Sequence, residues 1–343
     1  MRSKGLFFIS LVVFLYFVGC SQRKPFVPER LQGSVTLKYL LPSELDWANR
    51  NGVVLKDGGV ISGGGKTLLK LKEKEKFLNE TQKFYIIAKD CNTIELIDKE
   101  KQVSKKIHTS NCAISANIKD NFLAYVLIDN SYGISNLNTG ESLFNDRGAS
   151  VIAINTLNAS PVFLETLVVF PTLDGQLISV SLKTMKVERT TIVHSEKFFS
   201  NVIFLQSENN KIFSATPKKI ISLVEGRQFD YEANIRDLKL HKGYLYVLTL
   251  DGRVVQLDAT MRVINEVLLP YAVLSGIVII NEKLFTMEHR GYLIEVDLKS
   301  FDYNVYMLQD ILGKVLRNKM LFYDDSRFYY YKYYIDFSKV WKK

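Results

Sequence analysis

Apolar and polar residues alternate along this chain in short runs, and the runs come in sets. Between Leu167 and Val187 the sequence reads LVVFPTLDGQLISVSLKTMKV. It holds an apolar run, an Asp174-Gly175 turn, a run with Leu177, Val180 and Leu182 apolar, and a second turn around Lys183 and Thr184. Asp-Gly between two such runs is a strong hairpin signal, because both residues tolerate positive φ. Imperfect period-two alternation marks a strand with one buried face. The plan recurs in Leu245–Val263 (turn at Asp251-Gly252), Leu284–Asp302 (Arg290-Gly291), Leu123–Phe144 (Asp129-Asn130) and Phe84–Val103 (Asp90 to Asn92). Lys211–Phe229 is a weaker copy.

The turns fall near residues 91, 130, 175, 218, 252 and 291, and Asp57-Gly58 and Asp324-Asp325 extend the series at both ends. The spacing is about 38 residues, the period of propeller blades built from short strands. A β-sandwich gives turns at closer intervals but no second-order period. The expected fold is all-β: a seven- or eight-bladed propeller of four-stranded antiparallel blades, forming one domain over residues 34–343. Only Tyr306–Asn318 reads as a short helix. Ser34–Leu40 is the first strand candidate, and the aromatic segment Phe322–Phe337 is its expected partner in closing the ring.

Composition changes this picture little. The chain is 47% hydrophobic and 24% charged, which is globular. Its net charge of +9 is scattered in short groups such as Lys218-Lys219. That suits solubility and edge protection, and no nucleic-acid partner is expected.

The first residues set an address. Arg2 and Lys4 precede an apolar stretch from Leu6 to Val18, the length of a signal-peptide core and short for a membrane span. It ends Phe17-Val18-Gly19-Cys20, which resembles the lipobox of bacterial lipoproteins. The resemblance implies loss of residues 1–19, acyl chains on Cys20, and stable membrane anchoring. Ser21 after the cysteine resembles an outer-membrane sorting signal facing the periplasm; inner or outer membrane is left open. Residues 20–33, with Pro25 and Pro28, read as a lipidated tether.

Candidate chemistry is sparse. Ser62–Thr67 (SGGGKT) imitates a phosphate-binding loop, but Val60 stands where the motif needs glycine, so it reads as a flexible turn. His108, His194, His241 and His289 lack metal-ligand spacing. No catalytic, cofactor or metal residues are assigned. Cys91 and Cys112 are left as a disulfide candidate or as two free thiols; a bridge would stabilise the fold by roughly 3 kcal/mol.

The strand–Asp-Gly–strand–Leu-Asp-x-x-Thr-Gly core resembles the quinoprotein-type (PQQ-like) propeller repeat. Asn138-Thr139-Gly140-Glu141, Leu257–Thr260 and Val296–Ser300 carry parts of it. The docking tryptophans of that family are missing: the chain has only Trp47 and Trp341, and Phe144 takes one equivalent place. Its adjacent cysteine pair is missing too, so the fold resemblance stands without the redox function. Lipobox and repeats together are similar to the BamB family of the outer-membrane β-barrel assembly machinery. That implies a non-catalytic scaffold whose partners are envelope proteins. The alternative is an enzyme or small-ligand binder using the central channel, recognisable by carboxylates or histidines converging there. A basic face binding anionic lipid is a third reading.

Overall fold

The computed structural model describes residues 24–101, 103–196, 198–309 and 319–340. The leader and Cys20 lie outside the described residues. Eight antiparallel sheets form eight blades. Blade 1 is Leu45–Ala48, Gly52–Leu55, Gly59–Ser62 and Gly65–Lys70; blade 2 is Lys76–Glu80, Phe84–Asp90, Thr93–Asp98 and Ser104–His108. Blade 3 is Ala113–Lys119, Phe122–Leu127, Ser131–Asn136 and Ser142–Arg147; blade 4 is Val162–Phe163, Leu167–Pro171, Gln176–Ser181 and Val187–Ile192. Blade 5 is Phe204–Glu208, Lys211–Ala215, Lys219–Val224 and Arg227–Glu232; blade 6 is Ile235–His241, Tyr244–Thr249, Arg253–Leu257 and Val263–Leu268. Blade 7 is Leu274–Ile280, Lys283–Glu288, Tyr292–Asp297 and Tyr303–Leu308. Blade 8 takes Leu321–Tyr323, Arg327–Tyr330 and Tyr333–Asp336 from the end of the chain and Tyr39–Leu40 from its start.

The ring is closed by the N-terminal segment, as the sequence predicts: Tyr39 and Leu40 pair antiparallel with Tyr334 and Tyr333. The predicted Ser34–Leu40 strand is split, however. Gly33–Val35 runs parallel to Tyr306–Leu308 and adds a fifth strand to blade 7. The stretch expected to act as a tether is held against the propeller from Phe26 onward. Phe26 is buried, edge-on to Tyr292 at 5.8 Å, in the cluster joining blades 6 and 7. The start of the predicted Tyr306–Asn318 helix is corrected, because Tyr306–Leu308 is strand, paired on both sides; its residues 310–318 lie outside the described residues. Asp324-Asp325 also differs, lying between the first and second strands of its blade and not the second and third.

Because strands alternate in direction, each blade puts its first–second and third–fourth turns on one face, here the hairpin face. The second–third turns and the connections between blades lie on the other, the crossover face. On the crossover face glycine is required by contact: a Cβ on Gly175 (φ +85°) would fall 1.7 Å from the His194 carbonyl oxygen. On the hairpin face the Leu-Asp signature becomes physical. Asp98, Asn136 and Asp297 end third strands and Asp258 directly follows one, and each side-chain oxygen accepts backbone N–H groups from the turn that follows. Such side-chain caps set the turn without cross-chain partners.

Phenylalanine fills much of the space between blades. Phe77, Phe170, Phe204, Phe213, Phe285, Phe328 and Phe337 are fully buried, each worth roughly 1.5–3 kcal/mol of apolar burial. Phe144 of blade 3 lies 6.3 Å from Phe170 of blade 4, with Tyr132 5.2 Å from Phe170.

Candidate functional site

First strands line the central channel, and several carry a bulge, after Leu45, Phe77, Ala113, Ile235 and Ser275. A bulge re-aims the side chains that follow it. In blades 2 and 3 the re-aimed residues are asparagines that stitch the ring: Asn79 donates to the Ala116 carbonyl (3.1 Å) and Asn117 to the Pro161 carbonyl (2.9 Å).

Blade 1 departs from this plan. Its first two strands have four residues each, and the Asn49–Asn51 turn between them enters the channel. Asn49 caps its own turn and donates to the carbonyl of Phe77 (2.8 Å). Asn51 donates to the Leu78 carbonyl and to Ser160 Oγ, both at 2.9 Å, so it reaches the approach to blade 4. Arg50 Nε donates to the Ile203 carbonyl at 2.7 Å, at the entry to blade 5, opposite blade 1 in an eight-membered ring. Its guanidinium stands 5.5 Å from the centre of the Phe204 ring and 3.5 Å from Asp237 Oδ1 in blade 6. Tyr323 of blade 8 donates to Asp237 Oδ2 at 2.7 Å. Burial, with the Asp237 carboxylate beside it, pushes the Tyr323 hydroxyl well above its ordinary range, so it stays a donor. One turn therefore ties blades 1, 2, 4, 5, 6 and 8 together across the channel.

A cavity of about 920 Å³ remains around this crossing, lined among others by Glu80, Lys218, Glu288, His289, Lys319 and Asp325. Its carboxylates are occupied. Glu80 pairs with Lys99 at 2.8 Å, Asp325 with Lys239 at 2.9 Å, and Asp324 accepts from Tyr329 at 2.8 Å. Glu288 accepts the backbone N–H groups of Arg290 (2.7 Å) and Val273 (3.4 Å), and among the described residues it forms no salt bridge. Burial raises its pKa above the ordinary carboxylate range. Among the described residues no three His, Cys, Asp or Glu side chains gather as a metal site.

The residues singled out by sequence are scattered. Ser62–Gly65 forms the third–fourth turn of blade 1, and Thr67 Oγ1 donates to the Val60 carbonyl at 3.0 Å, a strand contact and not a phosphate cradle. His289 borders the cavity, while His194 sits 3.1 Å from Glu196 in the blade 4–5 connection. Cys91 of the second–third turn of blade 2 is bonded to Cys112, just before blade 3. Sequence reasoning missed Arg50, Asn51, Asp237 and Tyr323. The one available signal was Asp237 interrupting the apolar positions of Ile235–Leu240, a charge in a buried strand.

Comparison with known proteins agrees with the architecture. No family model matches the chain. The fold is similar to the crystal structure of BamB from Moraxella catarrhalis, with a TM-score of 0.63 at 14% identity, covering 85% of this chain and 94% of that one. It is also similar to the C-terminal WD40 domain of Sif2, with a TM-score of 0.61 at 10% identity over 85% of this chain and 95% of that one. These likenesses are of fold. The sequence relatives are nearer: the plasminogen-binding protein PgbB of Helicobacter pylori strain J99 is 36% identical over 97% of this chain and 71% of its own length. The protein of that name from strain 26695 is 35% identical over the same shares. Identity at that level along nearly the whole chain means that this protein belongs to the PgbB family.

Proposed function

We propose that this chain is a non-catalytic envelope lipoprotein, anchored through Cys20, whose propeller surface binds a protein ligand. By kinship that ligand is plasminogen. The observation that carries the reading is the relationship itself: 36% identity to a plasminogen-binding protein, spread over 97% of the chain. The structure is in keeping with it. The channel is crossed by the Arg50 turn, and its carboxylates are held by partners within the fold. Apolar side chains stand exposed on the crossover face, among them Ile128 and Ile152. The expected site in outer-membrane protein assembly rests on fold alone and is the finer, separate part of the proposal.

The test is direct binding. Immobilised chain exposed to plasminogen should give saturable binding that serum albumin does not give. No saturable binding to plasminogen would overturn the reading. A second reading, small-ligand binding in the channel, is favoured by the cavity volume of about 920 Å³ and by Glu288, a buried carboxylate with no salt bridge among the described residues. A small-molecule screen by thermal shift should then find ligands whose effect Glu288→Gln removes.

A further inference from the structure

We propose that the crossover-face rim of blades 6 and 7 is a bilayer-contacting surface that fixes how the propeller sits on its membrane. The inference rests on the anchoring of the chain at Cys20, and it adds which side of the ring faces the lipid.

The first observation is the strap. Cys20 and Phe26 are six residues apart. Extended chain spans at most about 3.4 Å per residue, so the anchor lies within roughly 20 Å of Phe26. Phe26 is buried in the cluster that contains Leu269 and Ala272, and Gly33–Val35 is hydrogen-bonded to blade 7. The tether is therefore clamped to one sector of the ring, and that sector cannot leave the membrane while the strap holds.

The second observation is what this sector exposes. Chain neighbours of the buried clamp point to solvent: Val27 beside Phe26 is 73% exposed, and Tyr271, between Leu269 and Ala272, is 56% exposed. Leu268 and Val273 are exposed in the same segment, and Leu250, exposed as well, stands at the mouth of the cavity. The pieces are contiguous, because Gly252 packs against the Leu269 and Ala272 carbonyls and Leu268 pairs with Arg253. Tyr271 sits at φ 67°, at the third position of a turn closed by the Ala272 N–H on the Leu269 carbonyl (3.0 Å). That position favours glycine or asparagine. A bulky aromatic held there against its backbone preference, and pointed outward, motivates a functional reading of this turn. Tyrosine suits a bilayer interface, with an apolar ring and a polar tip.

The third observation is charge. Arg253 is paired with Asp251 and Glu266, both at 2.9 Å, so this group carries one net negative charge and offers no free cation to anionic headgroups. Attachment would come from apolar insertion into the acyl boundary and would resist salt. An anionic-lipid surface would behave in the opposite way.

The test uses the full chain purified from membranes and reconstituted in phosphatidylcholine vesicles carrying doxyl-labelled acyl chains. Tryptophan is placed at the rim (Tyr271→Trp) or in the third–fourth turn of blade 3 (Glu141→Trp), opposite blade 7; wild-type emission is subtracted. Tyr271→Trp should be blue-shifted and quenched by the doxyl lipid, unchanged by added salt, and Glu141→Trp should not. Adding Leu250→Asp to Tyr271→Trp should abolish the quenching. Equal quenching of both reporters, quenching of neither while the chain floats with vesicles, or quenching lost in salt would each overturn the rim while leaving the anchor standing. A chain that fails to float would overturn both.

Discussion

Two carboxylates in blade 7 do the same hydrogen-bonding job at opposite ends of the sheet. Asp297, on the hairpin face, accepts the N–H groups of Lys299 (2.9 Å) and Ser300 (3.1 Å). Glu288, on the crossover face, accepts those of Arg290 (2.7 Å) and Val273 (3.4 Å). The backbone donors hold Asp297 below its ordinary pKa, whereas burial overrides them at Glu288 and raises it. Each carboxylate therefore accepts two backbone N–H groups, and burial decides the outcome. The difference extends beyond the pair. On the hairpin face the third–fourth turns of blades 2, 3, 6 and 7 satisfy themselves within a few residues, while the first–second turn of blade 1 reaches across the channel. Crossover-face turns pack against the next blade, border the cavity, and carry exposed apolar side chains such as Ile128, Leu250 and Tyr271.

The sharpest way to break the contrast is a crossover-face glycine. Gly252 has φ +89°, and a Cβ there would fall 2.3 Å from the Leu269 carbonyl oxygen. Gly252→Val should cost roughly 3 kcal/mol in chemical denaturation, from backbone strain and overpacking together. Gly226 has φ +78° on the hairpin face, yet nothing lies within 4 Å of its Cβ position. The same change there should cost less than half as much.

Next is the crossing itself. Arg50→Ala removes the bond to Ile203 and leaves Asp237 buried beside Tyr323. The expected loss is roughly 2 kcal/mol, less than for a fully buried pair, because 16% of the Arg50 side chain reaches solvent. A neutral Arg50→Ala would mean that the turn merely occupies the channel.

The two carboxylates give smaller effects of opposite sign. A raised carboxyl stabilises the fold below its unfolded pKa and loses that contribution as pH rises. Glu288→Gln should therefore be the more stable protein at neutral pH, with a gap that closes as pH falls toward 4.5. A lowered carboxyl behaves in reverse. Asp297→Asn should be the less stable at neutral pH, by a small margin that vanishes as pH drops below 3.8. Thermal melts of both variants across acid pH read the signs.

What was legible in the sequence follows the same division. Local signals worked: Asp-Gly and Asp-Asn turns, the Leu-Asp caps at 258 and 297, and the spacing near 38 residues gave blades in their observed order. The closing strand at Tyr39–Leu40 was readable because Ser34–Leu40 has strand-forming residues at the head of the repeats and the aromatic segment Phe322–Phe337 stands at their end. The crossing of Arg50 to Ile203 was not, since the two are 153 positions apart and no local pattern encodes the contact. The clamp on Phe26 was hidden too, because Pro25, Pro28 and the polar residues around it resemble a free linker. Asp324-Asp325 was placed one turn out of phase, because carboxylate turns occur at both ends of a blade.

The central claim, that the folded propeller surface binds plasminogen, is tested most directly by comparing the native chain with the same chain denatured in urea and held on the sensor surface. The account predicts saturable binding to the native ring and its loss with the fold. Equal binding by the denatured chain would contradict it, because a linear segment, and not the propeller, would then carry the interaction.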